Sequence, residues 1–175
     1  MKTCLVTGAT GFVGRRLVSQ LVEAEGEVSV IGAGRVNSSG PWDRFIEVDF
    51  GQADAVVDMS GVDTVFHLAS KAHAVSETLG DASGYEEVIV GGTRCLVEAA
   101  ERAGVRSFVY VSSVKAMGEG ESRRPQTLPI DEQSSVEPET PYGRCKLEAE
   151  SIVLQSRLEC VGCVSFTAEK CMLVK

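Results

Sequence analysis

Basic charge is scarce in this 175-residue chain. It holds 17 Lys and Arg against 25 Asp and Glu, a formal net charge of −8. An acidic chain with no basic stripe argues against nucleic acid as a partner and against an anionic membrane surface, so neither is expected. Long apolar runs are missing too, and none reaches the length that spans a bilayer. The opening "MKTCLVTGATGF" carries one lysine, and glycine and threonine interrupt its apolar run. A signal peptide is therefore not expected, and the expected compartment is the cytoplasm. Histidine is limited to His67 and His73, and neither is assigned a metal or a catalytic task. Cys4, Cys95, Cys145, Cys160, Cys163 and Cys171 have no regular spacing, which does not read as a disulfide framework. Cys160 and Cys163 lack a second ligand pair at zinc spacing, so no metal site is expected. Proline is rare, and four of the five lie in or beside residues 114–140.

What remains is globular: 43% apolar and 24% charged residues, enough for one domain with a core. "KTCLVT" (2–7) reads as a buried strand. Val13, Leu17 and Leu21 then recur at helical spacing up to Gly26. Further strands are expected at 27–32, 44–50, 63–70 and 105–113, with a short helix at 53–60 and a long one at 85–104. In the long helix Leu96, Ala100 and Ala103 share a face. The "GAG" at 32–34 reads as loop, and so does 114–140. A last helix spans 141–158, and "CVGCVSF" (160–166) offers a sixth strand weakened by Gly162. Strands alternating with helices imply parallel pairing by right-handed crossovers. The expected fold class is α/β, a doubly wound Rossmann-like parallel sheet. Ligands of such sheets bind beyond the carboxyl ends of the strands.

Directly after the first strand comes "TGATGFVG", residues 7–14. Gly8 allows a turn that a Cβ would hinder. Gly11 lets backbone N–H groups approach a pyrophosphate at the helix start. Gly14 brings the helix close to the sheet. The strand-to-helix context makes this a dinucleotide loop rather than a plain glycine turn. An acid at the end of the second strand would bind the ribose 2′-hydroxyl of NAD. Here Gly32 and Ala33 occupy that place and Arg35 follows, with Arg15 and Arg16 nearby. NAD or NADP is expected, with NADP slightly favoured. Asp49 and Phe50 end the third strand, where they would meet the adenine.

The fifth strand ends at Ser112 and Ser113, whose hydroxyls are expected to face the same crevice. The stretch "PYGRCKLEAE" (141–150) then sets Tyr142 and Lys146 four apart on one helical face. A free tyrosine, with a pKa near 10, is a poor acid or base at neutral pH. A nearby ammonium favours the phenolate. Tyr142 and Lys146 with a serine beside a dinucleotide make a proton-transfer set.

"TGATGFVG", "VDF", "FHLAS", "YVSSVKAMGE" and "PYGRCKLEAE" follow the order seen in extended short-chain dehydrogenases/reductases, the NAD-dependent epimerase/dehydratase enzymes. The chain resembles that family over roughly residues 2–158, with wording closest to UDP-sugar 4-epimerases and 4-ketoreductases. The resemblance implies a nucleotide-sugar substrate, with hydride transfer at a sugar carbon, C4 in many members. It implies Ser113, Tyr142 and Lys146 as catalytic residues. It also implies a cofactor site from Thr7, Gly8, Thr10, Gly11, Phe12, Val13, Gly14, Arg35, Asp49, Phe50, Leu68, Ala69 and Ser70, together with Tyr142 and Lys146. A homodimer is compatible with it.

Three departures stand out. Ile89 replaces an expected Asn, Cys145 replaces a Ser, and the "RPxxVYGP" wording and substrate lobe do not follow. The sequence therefore divides into an NAD(P)-binding domain, 1–158, and an atypical tail, 159–175, with a partial sixth strand. With the sixth strand weak, the fifth would present an open edge. The alternative function is a truncated dinucleotide-binding module without turnover.

Overall fold

The computed structural model describes residues 1–24, 27–52, 55–71, 81–118, 136–166 and 171–174. Seven strands form one sheet: β1 (Lys2–Thr7), β2 (Val28–Gly34), β3 (Arg44–Glu47), β4 (Thr64–His67), β5 (Ser107–Val111), β6 (Cys160–Phe166) and β7 (Cys171–Val174). Their spatial order is β3-β2-β1-β4-β5-β6-β7. Every pairing from β3 through β6 is parallel, while β7 runs antiparallel to β6. The helices are α1 (Phe12–Glu23), α2 (Asp81–Tyr85), α3 (Gly92–Ala103) and α4 (Pro141–Leu154). A π-helical turn, Glu86–Gly91, joins α2 to α3, and a 3-10 turn, Val114–Ala116, follows β5.

The sheet is doubly wound because its central strands alternate between two apolar layers. In β1, Leu5 enters the layer that also holds Val65, Leu96, Phe108 and Val153. Its neighbour Val6 enters the other, with Ala9, Val18 and Val30. Adjacent strand residues point to opposite faces, so an uninterrupted apolar run is what two covered faces require. Each fully buried Leu or Val here stabilises the fold by roughly 1.5–3 kcal/mol over leaving it exposed.

Sequence punctuation sets the helix ends nearest the site. Thr140 caps α4, its Oγ1 accepting from the Gly143 N–H at 3.0 Å, and Pro141 supplies the first helical residue. Gly104, left-handed at φ +70°, ends α3, and the Val105 N–H bonds back to the Ala100 carbonyl at 3.0 Å.

Several expectations change. β2 does not stop at Gly32 but continues through the "GAG", because Gly32 leaves room for aromatic rings. A Cβ there would lie 2.8 Å from Phe45 Cδ2. β3 and β4 are shorter than expected, and α4 ends at Leu154. Residues 55–59 form no helix. Val57 and Met59 are buried there, and this extended run drops its apolar side chains into the core. The long helix begins before residue 85 and contains the π turn; Leu96 and Ala100 are buried, but Ala103 is exposed. β6 pairs along the whole of β5, so β5 is not an edge, and β7 extends the sheet beyond it. His73 and residues 119–135 of the expected loop lie outside the described residues.

Candidate active site

Strand order reverses between β1 and β4, and a crevice opens beyond their carboxyl ends. Gly8 turns the chain there at φ +67°. A Cβ on Gly8 would stand 2.9 Å from the Ala69 nitrogen, and one on Gly14 would stand 2.1 Å from the Gly8 carbonyl oxygen. Both contacts are with backbone, which cannot step aside. Gly11 occupies the α1 N-cap with no side-chain hydrogen bond, leaving the first N–H groups of α1 for an anion.

The crevice is a cavity of about 390 Å³, lined by Gly8, Thr10, Gly11, Gly34, Arg35, Asp49, Phe50, Leu68, Ala69, Ser70, Lys71 and Val88. Its size and its apolar walls with few polar groups suit a dinucleotide half. The absent glycine side chains are what keep it open, so these residues fit the group. Of the expected cofactor residues, Thr7, Phe12, Val13, Gly14, Tyr142 and Lys146 are not among its lining residues. Phe12 is instead 95% exposed beside the loop.

Thr7 works from underneath. Its buried hydroxyl accepts from the Leu68 and Ala69 N–H groups at 3.2 and 3.1 Å and bonds His67 Nδ1 at 2.7 Å. His67 Nε2 bonds Thr93 Oγ1 at 3.1 Å. This run of polar groups ties the cavity floor to α3. His67 is packed and hydrogen-bonded, as its place in an apolar strand implies. Burial, then the Lys146 charge, push its pKa down to about 3, so it is neutral.

The second half of the crevice lies at the end of β5. The Tyr142 ring packs edge-on against Tyr85, centroids 5.6 Å apart. Its hydroxyl shares hydrogen bonds with Ser70 and Ser113. Ser70 thus belongs to both halves, lining the cavity and touching Tyr142. Gly143 makes the approach possible: a Cβ there would sit 2.3 Å from the Lys115 carbonyl oxygen on the 3-10 turn after Ser113. Lys146 is buried. Its Nζ donates to the Val111 carbonyl at 2.9 Å and lies 4.7 Å over the Tyr110 ring and 5.9 Å from the Tyr142 centroid.

The electrostatics differ from expectation. Burial raises the Tyr142 pKa above its ordinary value, partly offset by the Ser70 and Ser113 hydrogen bonds, and the cation that lowers it is Lys115. Burial brings Lys146 down to about 8, against the raising influence of Glu150 and Cys163. Ser112 also departs from expectation. It turns away from the crevice and donates to Glu150 Oε1, since neighbouring residues of an extended chain face opposite ways.

Sequence reasoning missed Tyr85, Gly143, Lys71, Val88 and Glu150. A period-two reading of Ser112–Ser113 and a continuation of the four-residue stripe to Glu150 were the available signals. Ile89 is buried in the π turn, where the resemblance leads one to expect Asn. Cys145 is half-buried, and burial pushes its thiol pKa up, which lowers its thiolate fraction. Cys163 is buried, and the side chain of Cys160 lies outside the described residues. Among the described residues no group of three or more His, Cys, Asp or Glu could hold a metal ion, and no helix is long and apolar enough to cross a membrane.

A doubly wound sheet with a glycine-built cavity at its switch point is the architecture of dinucleotide-binding folds, and Ser70 on the cavity wall reaches Tyr142 of the Ser-Tyr-Lys set. The sequence model of the NAD dependent epimerase/dehydratase family matches residues 4–168, and the chain belongs to that family. A 3 beta-hydroxysteroid dehydrogenase/Delta 5-->4-isomerase of Mycobacterium tuberculosis is 36% identical over 163 residues, covering 86% of this chain and 41% of its own. A UDP-glucose 4-epimerase of Mycolicibacterium smegmatis is 33% identical over 156 residues, covering 83% of this chain and 48% of its own. A short-chain dehydrogenase/reductase superfamily protein from Agrobacterium tumefaciens, solved with bound NAD, superposes with a TM-score of 0.72 at 32% identity. It covers 93% of this chain and 48% of its own. The chain therefore spans under half the length of these relatives. The solved relative holds NAD, and the NADP preference read from Arg35 finds no support. Arg35 is exposed at the cavity rim, and Arg15 is engaged with Thr10, Ser38 and Ser39.

Proposed function

We propose that this chain is the NAD-binding and proton-transferring part of an oxidoreductase or epimerase acting on a nucleotide sugar at C4. One observation carries the reading. The Tyr142 hydroxyl meets Ser70 and Ser113 at the wall of a glycine-built cavity, with Lys146 beneath the ring. Gly8, Gly11 and the start of α1 would seat the pyrophosphate, and Asp49 and Phe50 the adenine end. NAD, when bound, supplies the hydride acceptor. Tyr142 takes or returns the sugar hydroxyl proton. Ser113 hydrogen-bonds the same sugar oxygen and polarises it. Lys146 holds positive charge near the phenolate. In the ligand-free protein burial raises the Tyr142 pKa, so the hydroxyl keeps its proton at neutral pH, while its Ser70 and Ser113 hydrogen bonds and the Lys115 charge act in the opposite direction.

The UDP-glucose 4-epimerase and a dTDP-glucose 4,6-dehydratase relative support a nucleotide sugar, as does the resemblance of "SSVKAMGE" and "YGRCKLEAE" to UDP-sugar enzymes, while the more identical relative is named for a steroid. The test is interconversion of UDP-glucose and UDP-galactose at saturating NAD. Wild-type turnover that falls at least about 100-fold in Tyr142→Phe agrees with the proposal. Equal rates in both proteins contradict it. A second reading, a binding module without turnover, draws on the span of under half the relatives' length. NAD binding with no turnover of UDP-sugars or a steroid would favour it.

A further inference from the structure

Val111, Ser112 and Ser113 are consecutive, and each meets one residue of a stripe on α4. The Val111 carbonyl accepts from Lys146, Ser112 donates to Glu150, and Ser113 bonds Tyr142. Tyr142, Lys146 and Glu150 stand four residues apart, so one helical face carries all three. The strand end and the helix are therefore locked in register by three polar contacts. The reading of Tyr142 and Lys146 given above accounts for two of them. It leaves the Ser112–Glu150 contact without a purpose.

Glu150 is only 6% exposed. A buried carboxylate is retained at a cost unless it is hydrogen-bonded or paired. Burial raises its pKa, while the Ser112 bond and the Lys146 charge pull it back. The groups facing Lys146 from the sheet are Tyr110 on β5, Cys163 on β6 and His67 on β4. None of them carries charge at neutral pH. Burial drives Tyr110 well above its ordinary value, Cys163 up to about 12 and His67 down to about 3. The buried Tyr110 hydroxyl lies near Thr93 without a hydrogen bond of normal geometry. Among the described residues, Glu150 is thus the anion that compensates Lys146 from within the core.

We infer that Glu150 is a positioning residue: fixed by Ser112 one helical turn beyond Lys146, it supplies the buried negative charge that keeps the lysine protonated beneath Tyr142. The inference rests on the reading that Lys146 serves Tyr142, and it deepens that reading by naming what supports the lysine. Burial already pushes Lys146 down to about 8 against the raising influence of the Glu150 charge. Removing that charge leaves burial less opposed, so the lysine pKa moves further toward neutral.

The experiment titrates the Lys146 ammonium by side-chain NMR in the 15N-lysine-labelled full chain, with the resonance assigned by its loss in Lys146→Arg. Glu150→Gln is expected to lower the Lys146 midpoint by about one unit or more. Ser112→Ala is expected to lower it less, because the carboxylate stays but is freed to turn away. Glu150→Asp is expected to restore part of the shift. Midpoints equal to wild type in Glu150→Gln and Ser112→Ala overturn the inference. If Glu150→Gln does not fold, Ser112→Ala and Glu150→Asp decide it alone: a lowered midpoint in either supports it, and wild-type midpoints in both overturn it. The readout needs neither cofactor nor turnover. Failure of NAD binding would sink the functional reading, while the midpoints would still decide whether Glu150 sets the Lys146 charge. An unshifted midpoint alongside Tyr142-dependent turnover would sink this one alone.

Discussion

The two halves of the crevice are built by opposite means. At the end of β1, side chains are missing: Gly8, Gly11 and Gly14 open space and expose backbone N–H groups, and among the described residues no charged side chain is buried there. At the end of β5, side chains crowd in. Lys146, Glu150, Tyr110 and Cys163 are all buried, with their ionisation shifted by the burial. The first half is a steric device that exists before any ligand arrives. The second is an electrostatic device whose state depends on what surrounds it. Substitutions in the first half should therefore act on folding and binding, and those in the second on protonation.

The largest expected effect comes from Gly14→Ala. The added Cβ meets the Gly8 carbonyl at 2.1 Å, backbone against backbone. We expect a loss of about 2–3 kcal/mol, read as a fall of roughly 5–10 °C in Tm. An unchanged Tm would show that α1 can shift freely and would erase the contrast between the halves.

Next is Gly143→Ala, whose Cβ would stand 2.3 Å from the Lys115 carbonyl. It should cost about 1–2 kcal/mol by thermal melt and should push Tyr142 away from Ser113. A variant that keeps the wild-type Tm and turnover would mean the approach of α4 to the 3-10 turn is not tight.

Acid should act through His67, which joins Thr7 to Thr93 between the two halves. Its folded pKa of about 3 lies below the ordinary 6.5, so the unfolded chain binds the proton first. Stability is unaffected above pH 6.5 and falls as pH drops from 6.5 toward 3, by up to about 1.4 kcal/mol per unit from this group. Denaturant melts across that range check the slope. His67→Gln should flatten it, and the same slope in wild type and variant would remove His67 from the account.

The smallest effects on stability and on NAD binding are expected at Tyr142→Phe and Arg35→Ala respectively. The first should change stability by less than about 1 kcal/mol, since its hydroxyl bonds are only half-buried. The second should leave NAD affinity within about threefold, because the side chain is exposed at the rim. Calorimetry against NAD reads the second, and a tenfold loss would return Arg35 to the cofactor site.

The same contrast explains what was legible in the sequence. A glycine loop is written as spacing, so Gly8, Gly11 and Gly14 could be placed before any coordinates. Tyr142 and Lys146 were legible as a four-residue step. Their environment was not, because which groups surround Lys146 depends on strands from 60 and 110 to 163. Gly32 to Gly34 read as loop because glycine disfavours strands, yet Phe45 and Trp42 fill the space they leave. Residues 55–59 read as helix because the local pattern could not register the core they fill. β7 had no signal, since the alternating-unit logic anticipates parallel strands only.

The central claim is that the glycine-built cavity holds a dinucleotide against Tyr142. Calorimetric titration of NAD into wild type, Tyr142→Phe and Gly11→Asp tests it most directly. Gly11 has φ −76°, which any residue adopts, and a Cβ there would stand 3.2 Å from the Gly8 carbonyl oxygen, a contact that a shift of a few tenths of an ångström relieves; aspartate is also a favoured N-cap, so the variant should fold. Its carboxylate would occupy the N–H groups that the pyrophosphate needs. The account predicts one saturable site in wild type, near-equal affinity in Tyr142→Phe, and no binding in Gly11→Asp. Absence of binding in wild type, or Gly11→Asp binding as wild type does, would contradict it.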